Sequence, residues 1–110
     1  MRSLFNINPI IRFFNSPTVA RDKVAHYVSK GHRVADLACN TGYYTLLLAE
    51  CVGLEGKVYA VDLDPLTIKL VEEKVDKSGF HNIELHCANA ADLNFIEDHS
   101  IDFVLANGLL

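Results

Sequence analysis

Short apolar runs alternate with longer segments of helical periodicity along the chain. The runs RVADLA at 33–38 and KVYAVD at 57–62 are mostly apolar, as in parallel strands that are covered on both faces. Between them, YYTLLLAECV at 43–52 is apolar on almost every side, which is typical of a helix packed against a sheet. The order strand, helix, strand at this spacing predicts a right-handed parallel βαβ unit.

The same alternation continues towards the end of the chain. Residues 65–78 combine an apolar stripe with a charged face and follow Asp64, so they predict an amphipathic helix with an aspartate N-cap. Residues 82–87 alternate apolar and polar side chains, which predicts an edge strand with one wet face. Residues 100–106 are again apolar and predict a fourth strand.

Residues 1–31 precede the first strand, and we expect them to form a helical segment. Ser16 and Pro17 predict the start of a helix, and Gly31 predicts its end. Residues 1–15 are apolar but broken by polar side chains and a proline, unlike a signal peptide. We expect this stretch to pack on the domain, with a lid over a ligand or a partner-binding helix as the alternative.

Composition and charge narrow the class of protein. The chain has 110 residues, of which 50% are hydrophobic and 22% charged, which suits a single globular domain. A net charge of −4 argues against a general nucleic-acid surface. No apolar run approaches the roughly 18 residues of a membrane span. The three cysteines are odd in number and form no CxxC, so we expect reduced thiols in a cytoplasmic protein. The five histidines show no metal-ligand spacing, and we expect no metal site.

Candidate chemistry lies where the first two strands end. Asp36 interrupts the first apolar run, and its carboxylate needs a partner because an unpaired buried charge is costly. Gly42 permits close approach at a helix N-terminus, whose free N–H groups attract anions. Asp62 ends the second strand, where nucleotide-binding folds place an acid on the ribose hydroxyls. These residues favour a ligand with positive and negative groups, such as an amino-acid-bearing nucleotide.

The segment from Asp36 to Gly42 resembles the nucleotide-binding signature of class I S-adenosylmethionine (SAM) dependent methyltransferases, of the type 11/25 kind. That signature is an acid followed by three glycines at alternate positions, which fall in this chain on Ala38, Asn40 and Gly42. Asn40 suits this position because asparagine tolerates left-handed backbone. Ala38 should fit if the backbone there is extended.

The resemblance implies that the chain binds SAM and that S-adenosylhomocysteine is the product. Asp36 would meet the methionine ammonium group, and Gly42 would allow the close approach. Asp62 would accept hydrogen bonds from both ribose hydroxyls, as a carboxylate can. Leu63 would lie against the adenine face.

Two later segments extend the resemblance. The stretch ANAADLNF resembles the family's loop after its third strand. There Asn89 would accept a hydrogen bond from the adenine amino group, and Ala90 would offer its backbone N–H to the ring. Asn107 follows the fourth strand, at the edge where open α/β sheets bind ligands, and would contact the methionine end of the cofactor.

The fold that the resemblance implies is a Rossmann-like, doubly wound parallel α/β sheet of strand order 3-2-1-4, truncated after the fourth strand. Residues 1–31 would be the N-terminal helical segment and residues 32–110 the nucleotide-binding βαβ core, together a partial methyltransferase domain over 1–110. The fourth strand would then be an open apolar edge, which predicts association of copies of the chain through it.

The function that the resemblance implies is methyl transfer from SAM to a small-molecule acceptor, which the sequence does not identify, and no residue is assigned a catalytic role. One alternative is a catalytically inactive, truncated SAM-binding or assembly fragment. A second is a fragment of an NAD-binding oxidoreductase, which the acid at Asp62 also fits. However, G-x-G-x-x-G is absent, and Asp36 would face a pyrophosphate unfavourably.

Overall fold

The computed structural model of the chain describes residues 11–12 and 21–106. Strands and helices alternate up to residue 87, and a further strand follows without a helix between. None of the helices in these ranges has the length and apolar character needed to cross a membrane. The elements in chain order are β1 (Ile11–Arg12), α1 (Arg21–Tyr27), β2 (Arg33–Leu37), α2 (Tyr43–Val52), β3 (Lys57–Asp62), α3 (Pro65–Ser78), β4 (Ile83–Cys87) and β5 (Phe103–Leu105).

The described strands belong to one parallel sheet of order β1-β5-β2-β3-β4. Its four strands β4-β3-β2-β5 have the predicted order 3-2-1-4, so that prediction is confirmed. Because the strands are parallel, the carboxyl ends of β2 and β3 meet at the same edge. In register, Asp36 of β2 lies opposite Ala60 of β3, two residues before Asp62.

The edge of β5 is not open, contrary to the sequence-based expectation. Ile11 pairs with Val104 and Arg12 with Leu105, so β1 lies along β5. The expectation was wrong because a segment before the first predicted strand supplies main-chain partners for this edge. Ile11–Arg12 is also a strand rather than part of a helical segment, while the predicted helix start at Ser16 and Pro17 lies outside the described residues.

The two faces of the sheet are covered differently. One face packs against the helices, through a cluster that joins β2, β3 and β5 to α1 and α2: Val24, Val28, Val34, Leu47, Leu48, Ala49, Val52, Val58, Phe103 and Leu105. The loop after β4 covers the other face, where Leu93, Ile96 and Ile101 pack on Tyr59 and Val61. Cover on both sides explains why β2 and β3 are almost wholly apolar.

Helix α3 has the predicted boundaries. The Asp64 side chain accepts a hydrogen bond from the backbone N–H of Leu66 at 3.0 Å, and Pro65 follows it as the first helical residue. Gly79 ends the helix with left-handed backbone. Val71 is buried, and Cys39 and Ala60 belong to the same buried cluster, so α3 covers the turn that leaves β2.

The end of α2 is held by a residue from the start of β4. The Asn82 Nδ2 atom donates to the carbonyl oxygens of Ala49 at 3.0 Å and Gly53 at 2.9 Å. Ala49 lies in the last turn of α2 and Gly53 caps the helix, and their carbonyl oxygens also accept from the backbone N–H groups of Gly53 and Gly56. Asn82 therefore connects α2 to the edge strand.

We expect Asn82→Ala to lower the free energy of unfolding in urea by about 1–3 kcal/mol, because it removes two hydrogen bonds that join the end of α2 to the residue before β4. Asn82→Asp should be more damaging, since a carboxylate would face the same two oxygens. His81→Ala, at the exposed neighbouring position, serves as control and should change stability by less than about 0.5 kcal/mol. Equal stability of Asn82→Ala and His81→Ala would contradict this role.

Candidate functional site

Two carboxylates lie at the carboxyl edge of neighbouring strands. Asp36 is the fourth of the five residues of β2, and Asp62 is the last residue of β3. The two are close enough for the charge of Asp62 to act on the ionisation of Asp36. The sheet therefore brings together the two acids that the sequence singled out.

Asp36 is almost fully buried, with 2% of its surface exposed, and its partner is a hydroxyl group. Thr45, in the first turn of α2, donates from Oγ1 to Asp36 Oδ2 at 2.7 Å. Burial raises the pKa of Asp36 from 3.8 to about 7; the Thr45 hydrogen bond opposes this rise, and the charge of Asp62 adds to it. A cation beside Asp36 would stabilise the charged form that burial disfavours.

Asp62 holds the turns that follow both strands. Its Oδ2 accepts from the backbone N–H of Asn40 at 3.2 Å, and its Oδ1 accepts from the N–H of Asp64 at 3.1 Å. Each carboxylate oxygen can accept more than one hydrogen bond. Asp62 can therefore fix the two turns and still accept hydroxyl donors from a ligand.

The turn between β2 and α2 has left-handed backbone at alternate residues. The φ angles are 60° at Ala38, 52° at Asn40 and 84° at Gly42. The condition stated for Ala38, extended backbone, is not met. The chain passes from strand to helix within five residues, and the Cys39 N–H donates to the carbonyl oxygen of Val61 at 3.0 Å. Ala38 thus has a conformation that favours glycine.

Gly42 is needed for packing as well as for its backbone angle. A Cβ atom at this position would lie 3.1 Å from Cγ1 of Val71 in α3. The close approach that the sequence predicted at Gly42 is therefore made, in this structure, to a helix of the same chain.

A cavity of about 150 Å³ opens beside Asp62, and five of the predicted site residues line it. Its lining residues are Ala38, Val61, Asp62, Leu63, Ala88, Asn89 and Ala90. Leu63 is 69% exposed and is therefore available to an apolar ligand group. The turns after β2, β3 and β4 all contribute, which is the edge where open α/β sheets bind ligands.

The other four predicted residues lie elsewhere. Asp36 and Gly42 are buried and do not line the cavity. Asn40 lines a separate groove of about 400 Å³ between this turn and α3. Asn107 lies outside the described residues.

Asn89 already has a partner within its loop. Its Oδ1 accepts from the N–H of Ala91 at 2.9 Å, and its backbone oxygen accepts from the N–H of Asp92 at 2.8 Å. These bonds form a turn that fixes the side chain at the cavity, and an amide oxygen keeps a second lone pair for a ligand donor. Asp92 acts in this turn through its backbone.

An aromatic and charged cluster anchors the same loop to the sheet. Phe95 stacks on His86 of β4, with ring centroids 3.6 Å apart, and His86 Nε2 lies 2.7 Å from Glu84 Oε2. Burial favours a higher pKa for Glu84, but hydrogen bonds with His86 and Lys57 outweigh it and hold the pKa below its usual value. Within the described residues, no group of three or more His, Cys, Asp or Glu side chains is arranged to hold a metal ion.

Thr45 is the site residue that the sequence interpretation missed. Residues 43–52 are apolar almost all round, and that pattern hid one buried hydroxyl in the first turn. The available signal was that Thr45 is a polar residue in α2, the helix that directly follows the strand with the buried acid. Because such a helix packs on that strand, its polar side chain can reach the acid.

Comparisons with known proteins agree with this geometry. A protein family described as "Methyltransferase domain" matches residues 34–110 of the chain. The demethylmenaquinone methyltransferase of Geobacillus stearothermophilus is 44% identical over 77 residues, which are 70% of this chain and 32% of that protein. The enzyme of the same name from Anoxybacillus flavithermus is 35% identical over 99 residues, covering 89% of this chain and 41% of that protein.

A solved structure shows the same likeness in three dimensions. The SAM-dependent methyltransferase from Aquifex aeolicus has a TM-score of 0.59 and 32% sequence identity, over 63% of this chain and 38% of that one. The chain thus spans well under half the length of each of these three relatives. The matched family region contains both carboxylates and the loop with Asn89.

Ala38→Gly should raise the free energy of unfolding by about 0.5–1 kcal/mol, because glycine removes the cost of a side chain at positive φ. Ala25→Gly, at an exposed position in α1, is the matched control and should lower it by about 1 kcal/mol. Urea unfolding of the two variants measures the difference. Destabilisation by both would show that Ala38 is not strained.

Asp36→Asn should stabilise the ligand-free protein above pH 7. Because the folded protein binds a proton at Asp36 that the unfolded chain has lost, stability falls as pH rises from about 3.8 to about 7. The neutral amide removes this dependence, so the variant should gain on the order of 2–4 kcal/mol at pH 8 and almost nothing near pH 4. Asp76→Asn, on the exposed face of α3, should be near neutral at both pH values, and a pH-independent effect of Asp36→Asn would refute the titration.

Proposed function

Because the chain belongs to the class I SAM-dependent methyltransferase family, we propose that it forms the SAM-binding part of an enzyme that transfers the methyl group of SAM to a small-molecule acceptor. The observation that carries the proposal is the pair of acids, Asp36 and Asp62, near the ends of adjacent parallel strands, with Asp62 lining a cavity. SAM supplies a methyl group that is already activated on a positively charged sulfur.

The residues at the site fit this cofactor. Asp62 offers lone pairs to the ribose hydroxyls, and the exposed Leu63 offers an apolar surface to one face of adenine. Asn89 and Ala90 line the same cavity, and we propose that they meet the polar edge of the adenine ring. Asp36 is assigned to the ammonium group of the methionine part, since a cation is the partner that a buried carboxylate requires.

The electrostatics of the site disfavour a dinucleotide. A pyrophosphate carries two negative charges and binds where backbone N–H groups face it without a competing acid. In this chain the backbone N–H of Asn40 is directed at the Asp62 carboxylate, and Asp36 lies close to Asp62. The sulfonium and ammonium groups of SAM bring positive charge to the same place.

The acceptor is proposed from the relatives. Those from Geobacillus and Anoxybacillus are named demethylmenaquinone methyltransferases, which supports a small molecule of this quinone type. Because the chain spans 32% and 41% of those two proteins, both the transfer reaction and its acceptor are proposals for this chain. Detection of SAM binding without methyl transfer to demethylmenaquinone would favour the alternative of a SAM-binding or assembly fragment.

We also propose a cytoplasmic location for the protein. Cys39, Cys51 and Cys87 are all free thiols in the structure, and Cys87 is exposed. Thiols persist in reducing compartments, where disulfides are rare.

Calorimetry with SAM and with NAD on the unchanged chain tests the proposed cofactor. We expect SAM to bind and NAD to bind at least about tenfold more weakly, because SAM brings an ammonium and a sulfonium group to the two acids, whereas NAD brings a pyrophosphate with two negative charges. Asp62→Ala should weaken SAM binding by about tenfold or more, since it removes charge-assisted hydrogen bonds.

Asp92→Ala is the control for this experiment, because Asp92 is an exposed acid in the adjacent loop and takes part in its turn through the backbone. It should leave SAM affinity within about twofold. Unchanged affinity in Asp62→Ala would remove the ribose assignment, and binding of NAD alone would overturn the cofactor.

A further inference from the structure

The contact between α2 and β2 at Thr45 has no explanation in packing alone. Thr45 has no exposed surface and lies in a helix whose other buried residues are apolar: Leu47, Leu48, Ala49 and Val52. A valine has nearly the same shape and would fill the space without burying a hydroxyl group. The hydroxyl is satisfied because it donates to Asp36 Oδ2 at 2.7 Å.

The position of Thr45 gives this bond a mechanical role. Thr45 is the third residue of α2, directly after the turn with left-handed backbone at Ala38, Asn40 and Gly42. Its hydrogen bond therefore closes a loop of ten residues, from Asp36 through the turn to Thr45. A rotation of the Asp36 side chain would break the bond and leave a buried hydroxyl and a buried carboxyl group without each other.

We propose that Thr45 is a positioning residue, which favours the charged form of the Asp36 carboxyl group and holds it in one orientation, so that it receives the ammonium group of SAM. The inference rests on the proposed function, since it concerns the cofactor that Asp36 meets. Thr45 itself need not touch the cofactor: it acts through Asp36, by supplying the donor that a carboxylate buried in an apolar setting otherwise lacks.

The surroundings of Asp36 show why this single donor matters. From β3, the nearby charge is that of Asp62, which opposes ionisation of Asp36. The Cys39 thiol, in the turn, is also close, and burial together with the charges of Asp36 and Asp62 raises its pKa to about 12, so it stays neutral. From β2's neighbour β5, the residue opposite Asp36 is the apolar Leu105. Thr45, from α2, is the group acting on Asp36 that favours its charged form.

The first test measures Asp36 without any ligand. Carbon-13 NMR of the Asp36 side-chain carboxyl, followed as a function of pH, should give a titration midpoint about one pH unit higher in Thr45→Val than in the unchanged chain, because a hydrogen bond to a charged group is lost. Thr45→Ser keeps the hydroxyl and should restore the midpoint. Thr67→Val removes a similar bond, from Thr67 Oγ1 to the exposed Asp64 Oδ2 at 3.0 Å, and should leave Asp36 unchanged.

The second test compares two ligands by calorimetry between pH 6 and 7.5, where the amino group of SAM is mostly protonated. SAM carries the ammonium group, whereas 5′-methylthioadenosine has the same adenine and ribose but no amino-acid part. At pH 6, Thr45→Val should bind SAM about tenfold more weakly than the unchanged chain, with the difference shrinking to about threefold at pH 7.5, and should bind 5′-methylthioadenosine equally well. Thr45→Ser should bind both nucleosides like the unchanged chain.

The outcomes separate this inference from the proposed function. Equal loss of both ligands in Thr45→Val, at every pH, would mean that Thr45 only supports the packing of α2, and would overturn the inference while leaving SAM binding intact. An unchanged NMR midpoint in Thr45→Val would also overturn it. Failure of the unchanged chain to bind either nucleoside would overturn the proposed function and, with it, the role of Thr45 towards an ammonium group.

Discussion

The structure of this site depends on a carboxyl group buried inside a parallel sheet. Asp36 is placed in β2, between apolar strands on both sides and under the first turn of α2, where water does not reach it. A charge in such a place is unfavourable unless it meets a donor or a cation. The hydroxyl group of Thr45, the carboxylate of Asp62 and the tight turn from β2 to α2 all lie around this one group. An ammonium ligand would complete the arrangement that the protein alone leaves partly unfavourable.

Much of the fold follows from patterns that are local in sequence. The apolar runs that became β2 and β3, the apolar helix α2 and the aspartate cap of α3 are each determined by neighbouring residues, so their positions could be predicted directly. The order 3-2-1-4 required the resemblance, because periodicity does not say which strands are neighbours. The strand β1 could not be foreseen, since two residues carry no period and its partner β5 is more than ninety positions away.

The site was predictable to the extent that it depends on strand ends. Asp62, Leu63, Asn89 and Ala90 line one cavity because parallel strands deliver their final residues to one edge. The backbone of Ala38 was not predictable, since an alanine gives no sign of a positive φ that the turn imposes on it. Thr45 was missed for a related reason. The apolar residues around it predicted the helix, but the role of its hydroxyl group depends on the tertiary packing of α2 on β2.

Because β1 is short, the two edges of the described sheet differ in the strand that covers them. On the β4 side, the outermost strand is five residues long and half-buried along most of its length. On the other side, the outermost strand is a two-residue segment that shields the fully buried β5. Growth of the sheet next to β5 is therefore an exchange reaction, in which an incoming strand must first replace Ile11 and Arg12. A two-residue strand makes few main-chain hydrogen bonds, so displacing β1 costs little. Whether another strand adds at this edge therefore depends mainly on how well that strand pairs with Phe103–Leu105.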